Sequence, residues 1–149
     1  MNYDSYAVWS QKAVNMNFVD CEFHTPTLGA ISSAFSVEVD TCSFDGCSTP
    51  SSGGAMFIDG DCMIKNSNFT SCSSGTGGAL YLTLTTEDLD AQETSTVNIT
   101  ASIFDSNSAT LQGGAIYLHN DYCITVSLDS STFTNNIADN GSVMYCYED

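Results

Sequence analysis

Few side chains in this 149-residue sequence could do chemistry. It holds two lysines, Lys12 and Lys65, no arginine, two histidines, His24 and His119, and seven cysteines. Proton abstraction by a Lys or Arg therefore has almost no candidates. Glycoside hydrolysis needs only two carboxylates at a suitable separation, and Asp40, Asp45, Asp59, Asp61 and Asp105 could be offered. Asp is the commonest turn residue here, however, and short polar side chains are what turns use, so these five read as solvated corners. His24 follows Phe23 and His119 follows Leu118, with no Ser or Cys motif placed to use either imidazole, so both read as surface residues. No C-x-x-C pair occurs, which removes the usual zinc spacing. The expectation is a non-enzymatic protein with no catalytic, cofactor or metal site.

Eighteen acidic residues give a formal charge of -16. That balance excludes nucleic acid, whose phosphates need clustered Lys and Arg, and disfavours an anionic membrane surface. No apolar stretch reaches the roughly 18 residues of a membrane span, so no membrane insertion is expected. Ser and Thr make up about a quarter of the chain, so solubility rests on hydroxyls rather than on mixed ion pairs. Met1 to Ser10 shows neither a basic region nor an apolar core. If the protein is exported, its leader lies outside this sequence.

Internal repetition supplies the organisation. Gly53-Gly54-Ala55-Met56, Gly77-Gly78-Ala79-Leu80 and Gly113-Gly114-Ala115-Ile116 align, with Gly141-Ser142-Val143-Met144 as a variant. Weaker copies surround Ala7 and Ala30. The anchors near 7, 30, 55, 79, 115 and 143 divide a single domain over residues 1–149, and the long step holds a polar insertion at 85–96. Between them runs a second series on Phe23, Phe44, Phe69, Phe104 and Phe133. A small residue stands two before each Phe: Cys21, Cys42, Ser67, Ser102 or Ser131. Apolar residues stand five and seven before it, for example Val39 and Val37, or Ile99 and Val97. Period-2 alternation marks strands with one buried face, and its parity shift before the small residue demands a corner.

Three short strands per repeat, in phase, predict an all-β, right-handed, single-stranded parallel β-helix of about five to six rungs. Each strand would pair with its equivalent one turn away at about 4.8 Å, so like stacks on like. The column Val8, Ile31, Met56, Leu80, Ile116 and Met144 should point inward.

Gly-Gly-Ala-aliphatic alternating with Phe-x-x-Asn resembles the repeat of chlamydial polymorphic outer membrane proteins, which also occurs in surface proteins of eukaryotic microbes. Phe104 with Asn107 and Phe133 with Asn136 carry the second motif, whereas Phe44 with Cys47 and Phe69 with Cys72 place Cys where the family has Asn. The resemblance implies a β-helical passenger exposed at the cell surface and used in adhesion. No membrane-barrel translocator of that family is present, so its secretion route is not expected.

Stacking also places Cys21 over Cys42 and Cys47 over Cys72, within the Cα range a disulfide tolerates. Two alternatives stand for each pair, a disulfide or reduced thiols packed as small hydrophobes. Cys62 and Cys146 read as core filler, and Cys123 could reach Cys146 only if the 120–122 loop folds back. Sequons at Asn68, Asn98 and Asn140 should point outward, open to N-glycosylation in a eukaryotic secretory pathway. Trp9, Phe57, Tyr81, Tyr117 and Tyr145 form an outward column interrupted by Ser32. It would serve either as an aromatic platform for a glycan or a neighbouring rod, or as a face covered by the insertion, a terminal segment or its own stacking.

The chain begins and ends in the same strand of the turn, which suggests end-to-end self-association or excision from a longer β-helix. The expected function is an extracellular or cell-surface structural and adhesive rod, either a fibre-forming subunit or part of a longer surface protein. Its possible ligand is a glycan or a host or surface protein. The alternative is a carbohydrate-binding module using the aromatic column. Ca²⁺ bridging is conceivable at this charge, but no acidic column recurs to name ligands from.

Overall fold

A computed structural model describes residues 7–10, 15–83, 95–119 and 124–148. The strands follow the predicted repeat. The chain opens with β1 (Val8–Ser10), β2 (Met16–Val19) and β3 (Glu22–His24), then β4 (Ile31–Ser33), β5 (Val37–Asp40) and β6 (Ser43–Asp45). Next come β7 (Met56–Asp59), β8 (Cys62–Lys65), β9 (Asn68–Thr70) and β10 (Ser73–Thr76). They are followed by β11 (Leu80–Thr83), β12 (Ser95–Thr100), β13 (Ile103–Asp105) and β14 (Ser108–Gln112). The last are β15 (Ile116–His119), β16 (Ile124–Asp129), β17 (Thr132–Thr134) and β18 (Met144–Tyr147).

All pairings are parallel, between equivalents one turn apart, as a parallel β-helix requires. Sheet A runs β1-β4-β7-β11-β15-β18, sheet B β2-β5-β8-β12-β16 and sheet C β3-β6-β9-β13-β17. The predicted inward column is in register, with Ile31 on Met56, Met56 on Leu80 and Leu80 on Ile116. Those four side chains are buried, while Val8 and Met144 at the two ends are partly buried. The Phe series forms one continuous stack. Successive ring centroids from Phe23 to Phe133 lie 4.8, 4.6, 4.6 and 4.9 Å apart with nearly parallel planes.

Backbone geometry explains the parity shift. Three residues before each Phe the chain turns through positive φ, at Asp20, Thr41, Asn66, Ala101 and Ser130, with φ between 49° and 55°. Two residues after each Phe it turns again, at Thr25, Gly46, Ser71, Ser106 and Asn135. Most of these side chains are short polar ones that tolerate left-handed backbone. The Gly-Gly corner imposes a different constraint. A Cβ on Gly78 would stand 2.1 Å from the carbonyl oxygen of Gly114 in the neighbouring turn, so only glycine lets the backbones approach.

Two differences from expectation have local causes. A fourth short pairing, β10 with β14, lies between sheets C and A, extended by isolated bridges such as Ser48 with Ser73 and Gln112 with Asn140. The strand β12 begins at Ser95, so the predicted insertion gives up Ser95 and Thr96 to sheet B, and its remainder lies outside the described residues. Sheet A has six strands against five in sheets B and C, as six anchors and five Phe positions require.

Because Phe69 is fully buried between two stacked neighbours, Phe69→Ala is expected to cost about 3–5 kcal/mol, read as a lowered midpoint in denaturant unfolding.

Candidate functional site

The corners hold the densest polar chemistry. At the corner before each Phe, the backbone N–H of one turn donates to the small side chain of the next. Cys42 N–H donates to Ser67 Oγ at 3.1 Å, Ser67 N–H to Ser102 Oγ at 3.2 Å and Ser102 N–H to Ser131 Oγ at 3.2 Å. At the corner after each Phe, Cys72 N–H donates to Asn107 Oδ1 at 2.9 Å and Asn107 N–H to Asn136 Oδ1 at 3.0 Å. The amide groups close the link, Asn107 Nδ2 donating to the Phe69 carbonyl and Asn136 Nδ2 to the Phe104 carbonyl, each at 2.9 Å. Where Cys replaces Asn the thiol donates the equivalent bond, Cys72 Sγ to the Phe44 carbonyl at 3.6 Å and Cys47 Sγ to the Phe23 carbonyl at 3.7 Å. These groups hold one turn to the next, which is a structural role.

The six described cysteines are free thiols. Cys21 and Cys42 do stack, with Cys21 N–H donating to Cys42 Sγ at 3.4 Å, and Cys47 and Cys72 occupy successive turns as expected. Cys62 is core filler, and burial pushes its thiol up to about 12. The Cys72 thiol is pushed up by its bond with Cys47 and by burial, so neither is a ready nucleophile. Cys146 departs from expectation: it pairs with Leu118 in an inward column, yet it is exposed, because no further strand of sheet A lies over β18 among the described residues. Cys123 lies outside the described residues, as does Lys12.

The five candidate carboxylates do not converge. Asp40, Asp45, Asp59 and Asp105 end strands β5, β6, β7 and β13, and Asp61 precedes β8. Asp45 and Asp105 share a column but are separated by Thr70. Asp61 accepts from Thr96 N–H at 2.8 Å and Ser95 Oγ at 3.1 Å, which fixes the start of β12. Among the described residues no three His, Cys, Asp or Glu side chains gather as a metal set. In every described strand pairing, moreover, an acid faces something other than an acid: Asp40 faces Lys65, Glu38 faces Met63 and Asp129 faces Thr100.

The histidines differ. His24 is exposed between Glu22 and Asp45, at 3.2 and 3.8 Å. His119, expected at the open surface, is half-buried instead. Its Nδ1 lies 3.3 Å from the Tyr81 hydroxyl, and its ring packs beside Tyr117 and Tyr147. In its column Thr83 Oγ1 is buried without a hydrogen-bond partner.

The aromatic column is in register and stacked. Phe57 lies on Tyr81 at 4.9 Å, Tyr81 on Tyr117 at 4.9 Å and Tyr117 on Tyr145 at 5.7 Å, with planes within 14°. These rings turn their faces to one another, and Tyr117 is only 7% exposed. Trp9 stands apart at 58% exposure, separated from Phe57 by Ser32. The sequons fall as expected on the outer faces, with Asn68 and Asn140 exposed and Asn98 half-buried. Asn98 borders a groove of about 420 Å³ on sheet B, shared with Asn17, Glu38, Asp61, Met63 and Thr96. Sequence reasoning missed this groove, because its residues come from four successive turns and only Asn98, in a sequon, belongs to a motif.

Parallel sheets stacked turn on turn with corner ladders, and no converged reactive groups among the described residues, are the architecture of a repeat protein. Residues 101–119, which span β13, β14 and β15, match the family model of the Chlamydia polymorphic membrane protein repeat. The match covers Phe104 with Asn107 and Gly113 to Ile116, the motifs on which the resemblance rests, and it associates the chain with surface proteins. No curated protein and no solved structure matches the chain.

Two outcomes test the corner chemistry. Asn107→Ala should cost about 3 kcal/mol, because it strands the Cys72 N–H and the Phe69 carbonyl, and Asn107→Cys should recover about half of that in the same denaturation measurement. The Asp105 carboxyl is held below the usual 3.8 by hydrogen bonds from Thr134 and then Asn135, and that of Asp40 by bonds from Asn66 and then Thr41. A depressed folded pKa contributes stability that is present above the unfolded value and lost as pH falls through the folded one. Carboxyl NMR should therefore show both groups titrating below 3.8, with stability declining across that window.

Proposed function

We propose that this chain is a non-enzymatic structural and adhesive rod of the extracellular surface. The observation that supports it most is the register of three long parallel sheets, whose outer columns on sheets B and C carry mainly dispersed polar side chains, with no metal-binding set among the described residues. Such a surface offers many weak, repeated contacts along one direction, which suits attachment and display rather than turnover. The repeat matched at residues 101–119 points the same way. The ligand is a glycan or a surface protein of the opposing cell. N-glycans belong at Asn68 and Asn140, where the side chains stand free, before Asn98, where the sheet B groove limits access.

The carbohydrate-binding alternative changes shape on this structure. Tyr81 and Tyr117 have both ring faces covered by column neighbours, so they cannot offer a stacking platform to a sugar. The column is chiefly a stabilising stack over sheet A.

Beads coated with the purified chain should adhere to cell layers or immobilised surface glycans without releasing cleaved product. Failure to adhere to any cell or glycan surface, or product release by the chain, would overturn the reading.

A further inference from the structure

The aromatic column has one vacancy. Reading along sheet A, the outward position is Trp9, Ser32, Phe57, Tyr81, Tyr117 and Tyr145, each in register with the next. From Phe57 onward every level carries a ring, spaced 4.9 to 5.7 Å from its neighbour. At Ser32 the level holds only a hydroxymethyl group. Trp9 and Phe57 are thus two strand levels apart, about 9.6 Å at the usual parallel spacing. By register the level between them carries no ring, a slot one level deep, with Trp9 58% exposed and Phe57 and Ser32 half-buried.

We propose that this slot is a sandwich site for a single neutral pyranose ring of a glycan. A sugar ring held midway meets carbon on both faces within van der Waals range, its axial C–H groups directed at the two aromatic faces. The Ser32 hydroxyl beneath can donate to or accept from a ring hydroxyl. A chain of charge -16 selects against sialylated or sulfated sugars, so the occupant is uncharged. A nucleobase would also fit the thickness, but its phosphates meet the same repulsion. The site deepens the adhesive reading and rests on it only for the source of the glycan. The stack itself supports the assignment, because it shows what a ring at this spacing gains from its neighbours on sheet A.

Trp9 is the single tryptophan, so its emission reports on the slot directly. Titration with neutral hexose disaccharides should change that emission saturably, while sialylated counterparts leave it unchanged. Ser32→Phe fills the vacant level and should weaken the response about tenfold or more while raising the melting temperature, since the new ring joins an existing stack. Trp9→Leu, read by calorimetry, should lose binding to a similar extent. No response to any neutral saccharide, or undiminished binding by Ser32→Phe, would overturn the proposal. A response to p-cresol or indole alone would overturn it too, and would assign the slot to an aromatic side chain of a protein partner. Failure of these saccharide titrations while coated beads still adhere would remove the slot but leave the adhesive rod standing.

Discussion

Hydrogen bonding between successive turns is the constraint on which the rest depends. In a parallel coil every residue has its own equivalent above and below it, at a distance the backbone sets and the side chain cannot change. A side chain is therefore chosen against copies of its own position. Phe stacks on Phe because the spacing leaves one ring's thickness per turn. Gly stays Gly because the carbonyl of the neighbouring turn occupies the space of a Cβ. At the corners, where strand pairing lapses, the same demand appears as an N–H in need of an acceptor. Ser, Asn and Cys meet it with side chains that span to the neighbouring turn, as Cys42 Sγ accepts the Cys21 N–H.

The exchange of Asn for Cys follows from that demand. Asn107 accepts the Cys72 N–H and donates to the Phe69 carbonyl and to Asn136 Oδ1, so a single amide links three turns. A thiol keeps the donor and fills the same volume, but it is a weak acceptor. The turns carrying Cys47 and Cys72 therefore hold their corner more by apolar packing, and those carrying Asn107 and Asn136 more by hydrogen bonds. The family repeat is matched over the turn that carries Asn107.

Much of this was legible because column chemistry shows through in composition. The Gly-Gly-Ala and Phe series defined three sheets and their inward faces, and the register agrees residue for residue. What stayed hidden lacked an apolar period. Strands β10 and β14 read Ser-Ser-Gly-Thr and Ser-Ala-Thr-Leu-Gln, and their pairing rests mainly on backbone, with one side-chain bond from Thr110 Oγ1 to the Gly75 carbonyl. His119 had outward parity, but parity reports which face a residue is on, not what lies beside it on that face. Cys146 had inward parity, but an inward residue is buried only if another strand lies over it. Of the candidate site, the aromatic column could be read directly. Its meaning could not, because Ser32 looked like a lapse in a pattern until the ring faces on either side were seen to be occupied everywhere else.

The separation of acids within each column also bears on how neighbouring rods meet. Along the axis, Thr, Lys or Met stands between carboxylates, so a single coil bears its charge without strain. Side by side, two such coils have no comparable insulation. Their flanks are both anionic, with a single described lysine to offset them. Crowded on a surface at low ionic strength, they will stand apart as a hydrated brush, and added salt will let them draw closer as the Debye length shrinks.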